Sequence, residues 1–163
     1  MSMMKCSIIF SLLFLLNSSF TGAGFIEQGF DKPGYYAVMS SDKMEEINNQ
    51  LTVIKGVSVA EKDAYEGALL MKKAGLVNNT KEKLNLFRSG RSKLESCISK
   101  DKSNAEYRFL RLIIQEHAPK IVKYRNEIDE DTQLIRSNYK NLPAFLQQVI
   151  SDYSKKSKVL KIP

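Results

Sequence analysis

Arg108, Arg111 and Gln115 stand at i, i+3 and i+7 in the most apolar stretch after the N-terminus, residues 105–124, AEYRFLRLIIQEHAPKIVKY. At helical pitch the three share one face. Two guanidiniums and an amide on an apolar helix need carboxylates or an anionic ligand, because an unpaired buried charge is costly. The spacing points to an anion or carboxylate-peptide site in a groove beside residues 105–117. The competing expectation is internal pairing with Glu106, Glu116 or the acidic run at 127–131.

Other chemistry is sparse. His117 is the single histidine, and a hydrolase-like enzyme would have to use it or a carboxylate. General-base or zinc chemistry needs converging partners, and beside Glu116 and Pro119 it reads as a helix cap or surface residue. Cys97 falls on the inward side of a helix, which argues against a Cys97/His117 nucleophile pair. Glu127, Asp129, Glu130 and Asp131 lack the alternating ligands and turn glycine of a calcium loop. They suit the first turn of a helix, where carboxylates complement the dipole. No glycine-rich phosphate loop or nucleophile motif occurs. The sequence therefore predicts no catalytic residues, no cofactor and no metal.

The elements that must position these residues begin after a leader. Residues 1–23 carry Lys5, the apolar run IIFSLLFLL at 8–16, and a small polar stretch suited to cleavage near Ala23. That order is a secretory signal peptide. The run is short of the roughly 20 residues of a spanning helix, and the alternative is a segment retained as an anchor. Export to the periplasm or cell exterior follows. Without the leader, 24 basic side chains (25 in the whole chain, less Lys5) face 18 acidic ones. An exported basic protein meets anionic surfaces or acidic partners rather than nucleic acid. The expected partner is another envelope or secreted protein, with at most peripheral membrane contact. Cys97 is the one cysteine after residue 23, so no disulfide forms within the chain and an apolar core must hold it together.

Residues 24–41 carry Gly29, Pro33 and Gly34 among aromatics and read as an extended lead-in, with a short strand at 35–39. A helical domain spans 42–154. Asp42 caps a first helix over 43–55, with Met44, Ile47, Leu51 and Ile54 inward. Ser58-x-x-Glu61 is a capping box for a second helix over 59–74. Thr80 caps a third to about residue 99, where Gly90 marks the close approach of another helix. Ser103-x-x-Glu106 starts the central helix and Pro119 ends or kinks it. A fifth opens at 127–131, and Pro143 starts a sixth with Phe145, Leu146, Val149 and Ile150 buried. The tail 155–163 carries Lys155, Lys156, Lys158 and Lys161 and reads as frayed. Nothing shows sustained period-two alternation, so the fold class is all-α, about six helices in stacked antiparallel hairpins.

Ala64, Gly67, Ala68, Met71, Ala74 and Gly75 have the small-and-apolar spacing of a tetratricopeptide first helix. Gly90, Leu94 and Cys97, followed by the turn at 100–107, resemble that repeat's second helix and junction, with about ten extra residues between the halves. The resemblance implies a protein-binding scaffold with a concave groove. Over its whole length the chain also resembles the small exported helical proteins of Bacteroidota, on NAEYRFLRLIIQEHA at 104–118 and LPAFLQQVISDYSKKSKVL at 142–160, which implies a compartment and no activity. The functional expectation is an exported binding or adaptor module. The alternative is a structural envelope protein held by its basic tail.

Overall fold

The computed structural model describes residues 30–162, so the leader, its cleavage site and the first residues of the lead-in lie outside the described part. Among the described residues the chain is all helical, with seven α-helices and two short 3-10 turns. They are α1 (Lys32–Ser40), α2 (Met44–Gly56), α3 (Lys62–Leu76), α4 (Thr80–Lys100), α5 (Ala105–His117), α6 (Ile128–Asn138) and α7 (Ala144–Lys156).

The lead-in is therefore not extended throughout, and residues 35–39, expected as a short strand, are helical. Asp31 accepts a hydrogen bond from the Gly34 amide at 3.0 Å and Pro33 lies in the first turn, so α1 has an ordinary N-terminal cap. Tyr35, Tyr36 and Met39 are buried against the helical body. Burial of those three large side chains outweighs the low helix propensity of Gly34 and Pro33. Four other starts also move. Lys43, not Asp42, stands at the N-cap position of α2, with no side-chain cap bond. Asn79, not Thr80, caps α4 through the Glu82 amide, and Asn104, not Ser103, caps α5 through the Tyr107 amide. The box at 58–61 does not form, and α3 begins at Lys62 with no side-chain cap.

α5 is the central helix, with nine of its thirteen residues buried. Phe109 is fully enclosed between Tyr36 of α1 and Tyr153 of α7, ring centroids 5.9 and 5.4 Å away. Leu110 and Leu112 are fully buried with it. α3 and α4 form an antiparallel hairpin whose backbones touch at two glycines. A Cβ on Gly67 would stand 2.6 Å from the Gly90 carbonyl oxygen and 2.8 Å from the Leu94 nitrogen. Only glycine admits so close an approach.

The C-terminal segment is docked rather than frayed. Leu160 has no exposure, and Ser157 accepts from the Val159 and Leu160 amides. The Lys161 ammonium donates to the carbonyls of Ser154 and Ser157, closing the end of α7. Arg136 of α6 donates to the carbonyls of Val159 and Lys161.

Candidate functional site

The arginine face of α5 turns inward onto α6 and α4. Asp131, with no exposed surface, accepts from Arg111 Nε and Nη2 at 2.7 Å each and from Arg108 Nη1 at 3.0 Å. Arg111 Nη1 reaches Glu95 of α4 at 2.9 Å. Arg108 also donates to the Lys102 carbonyl, at 3.1 and 2.9 Å, and pairs with Glu130 at 3.0 Å. Gln115 continues the row, donating to Glu127 at 2.8 Å. Both guanidiniums are about 5% exposed. They are shared among carboxylates and a carbonyl, so they do not face an open groove as anion receivers. Acids from the run at 127–131 and Glu95 bind them, whereas Glu106 and Glu116, the other two expected partners, are engaged elsewhere.

The electrostatics follow from burial. Desolvation alone would lower the Arg111 pKa, but the hydrogen bonds and charge of Asp131 hold it above its usual value. Burial raises the Asp131 carboxyl, and the two guanidiniums pull against that rise. Two buried orphans remain here: Gln115 Oε1 and, beside Asp131 on α6, Thr132 Oγ1 have no hydrogen-bond partner among the described residues.

Two further carboxylates act as hubs. Glu106 accepts from Tyr36 at 3.1 Å, Tyr65 at 2.9 Å and Lys32 at 3.0 Å, joining α1, α3 and α5. The Lys32 ammonium also sits 5.5 Å from the Tyr65 ring centroid. Burial, then the Glu106 charge, pushes the Tyr36 and Tyr65 phenols well above the ordinary tyrosine value. Glu116 accepts from Tyr153 at 2.7 Å, Ser157 at 2.6 Å and the Lys158 amide at 3.0 Å, fastening the C-terminal segment to α5. Burial would raise the Glu116 carboxyl, but these donors outweigh it and hold it below its usual range. Neither hub follows from the sequence: Glu106 and Glu116 are single acids on α5, and no local pattern ties them to tyrosines 37 to 70 residues away.

The residues weighed for catalysis stay apart. His117 is exposed, with Nδ1 2.8 Å from the Ile113 carbonyl four residues back, so it closes the end of α5. Cys97 is a buried free thiol whose pKa burial raises, which is the reverse of activation. The described residues hold no cluster of three His, Cys, Asp or Glu arranged for a metal.

What opens to the surface is shallow. A groove of about 470 Å³ runs between α3 and the first half of α4, lined by Leu70, Leu86, Asn79, Asn85, Ser89 and the Lys81–Glu82 pair. A second, of about 600 Å³, lies along α6 between Thr132, Gln133, Arg136 and Val159. No protein-family model, curated protein or solved structure matches the chain.

Proposed function

We propose that the chain is an exported helical binding module that recognises a partner protein through the groove between α3 and α4. One observation carries this: the groove's lining combines two leucines, Leu70 and Leu86, with the amides of Asn79 and Asn85 and the Ser89 hydroxyl. Such a lining suits an apolar side chain of a peptide segment, flanked by main-chain hydrogen bonds. The backbone contact at Gly67 and Gly90 fastens together the two helices that carry the lining. The same close-packed hairpin supports a tetratricopeptide-like reading of α3 and α4. Non-enzymatic action fits the way Arg108, Arg111, Glu95, Glu106, Glu116 and Asp131 are spent on one another and on tyrosines. The leader at 1–23 supports export to the periplasm or exterior.

Attachment by a free basic tail, the alternative, has less support. Lys161 is committed to carbonyls and Lys155 to Asp152.

A photo-cross-linking residue placed at Asn85, with Asp152 of α7 as control, tests the groove in living cells. A discrete adduct from position 85 and none from 152 is expected. Adducts from both positions, or from neither, would remove the groove.

A further inference from the structure

The chain between α5 and α6 makes a 3-10 turn, Lys120–Val122, closed by the Val122 amide on the Pro119 carbonyl and the Lys123 amide on the Lys120 carbonyl, both at 3.1 Å. Ile121 at its tip is 87% exposed, the most exposed large hydrophobic side chain of the described residues. Its neighbours point the other way. Val122 packs on the core, and Tyr124 is buried, donating to Glu95 at 2.6 Å and standing edge-on to Phe87. Lys123, a non-glycine residue at φ 48°, takes the left-handed conformation that ends the turn. The isoleucine is thus held out by a turn that is fixed on both sides, not left on a loose loop.

Around that tip the fold gathers cations that are far apart in sequence. Lys120, Lys123 and Arg125 are exposed on the turn itself. Arg91 of α4 stands 4.8 Å from the Tyr124 ring centroid. The Lys158 backbone is tied to Glu116, one turn of α5 before Pro119, which brings the basic C-terminal segment to the same end of the bundle. None of these five cations forms an ion pair among the described residues. Of the neighbouring carboxylates, Glu95 is bound by Arg111 and Tyr124, Glu116 by the C-terminal segment and Glu127 by Gln115, while Asp129 stands exposed four residues beyond Arg125, so the cations outnumber the acids left facing solvent.

We propose that this end of the molecule is a membrane-contact surface: Ile121 enters the interface of an anionic bilayer while Lys120, Lys123, Arg125, Arg91 and Lys158 meet its phosphate headgroups. The occupant follows from the charge and from the apolar tip together. A soluble polyanion has no use for an exposed isoleucine, and a neutral surface has none for five unpaired cations. One aliphatic anchor and a handful of basic groups give weak, reversible attachment. That attachment would hold the α3–α4 groove near an envelope surface, but it does not depend on the groove having a partner.

The test is vesicle co-sedimentation of the exported protein, its N-terminal residue read by mass spectrometry, on phosphatidylcholine alone and on phosphatidylcholine mixed with phosphatidylglycerol. Binding to the mixed vesicles only, lost at high salt, is expected. Ile121→Ser should weaken it about tenfold. Lys120→Gln with Lys123→Gln should weaken it roughly 25-fold, about fivefold for each charge near the surface. All three side chains are exposed, so the variants retain the fold, checked by circular dichroism. Absence of binding, equal binding to both vesicles, or binding unchanged in either variant would overturn the proposal. If the lysine variant fails but Ile121→Ser binds as the wild type, the contact is electrostatic alone and the proposed entry of Ile121 into the bilayer is overturned.

Discussion

The two antiparallel hairpins, α3 with α4 and α5 with α6, close their seams in opposite ways. The first is zipped by the absence of side chains: Gly67 and Gly90 let two backbones meet, with Ala64, Ala68 and Leu94 sealing the rest. The second is zipped by charge, three guanidinium hydrogen bonds onto one buried carboxylate. An apolar seam tolerates sliding until sterics stop it. A charged one admits a single register, because a shifted helix would strand Asp131 or a guanidinium without a partner. We infer that the Asp131 cluster sets the register of α5 against α6, while the glycine pair sets the distance between α3 and α4.

The largest way to break this contrast is at Asp131. Asp131→Asn leaves two buried guanidiniums short of their counter-charge, and a loss of about 3–5 kcal/mol in urea unfolding is expected. That is a large part of the roughly 5–15 kcal/mol holding an ordinary domain. Next comes Gly67→Ala. The alanine gains about 1 kcal/mol of helix propensity, but its Cβ meets backbone atoms at 2.6 and 2.8 Å. Overpacking should dominate, for a net loss of about 1–3 kcal/mol by the same measurement. Gly75, with no neighbour within 4 Å of its Cβ position, sharpens the comparison. Gly75→Ala should raise stability by about 0.5–1 kcal/mol.

Alkaline pH probes the tyrosine hubs. Burial pushes Tyr107 up to about 12, and it raises Tyr36, Tyr65, Tyr124 and Tyr153 above the ordinary tyrosine value. Tyrosines of the unfolded chain release their protons near pH 10, where the folded chain still holds them. The unfolded state then binds fewer protons, so stability falls as pH rises above about 10. Urea midpoints across that range should drop while phenolate absorbance of the folded protein lags behind. Glu116 gives the smallest effect, with the opposite sign of pH dependence. Its lowered pKa contributes stability above the ordinary glutamate range and loses it as pH falls. Glu116→Gln should speed amide exchange at Leu160 while leaving exchange at Leu110 unchanged.

The helical class, the central place of 105–117 and the close approach at Gly90 were legible because each rests on local spacing. α1 was missed for a physical reason. Asp31, Pro33 and Gly34 read equally as a helix start and as breakers, and only the pocket that takes Tyr35, Tyr36 and Met39 decides between them. Ser103 lost to Asn104 at the α5 cap because Glu106, its box partner, is drawn away by two phenols and an ammonium. The arginine stripe was readable as a stripe. The run at 127–131 was among its expected partners; that Asp131 and Glu130 take the guanidiniums rather than Glu106 or Glu116 depends on how α6 folds back, 20 and 23 residues further along. The tail looked free because its lysines hid Leu160, one side chain that finds a pocket.

The central claim is that Arg108 and Arg111 belong to the fold and not to a ligand. A double-mutant cycle over Arg111→Met and Asp131→Leu, followed by urea unfolding, tests it most directly. Each single change should lose about 3–5 kcal/mol, and the double variant less than the sum, since it removes both members of the Arg111–Asp131 pair and leaves Arg108 with Glu130 and the Lys102 carbonyl. If Arg111→Met alone stays within about 1 kcal/mol of the wild type, the guanidinium is not a structural partner and the account of the α5–α6 seam is wrong.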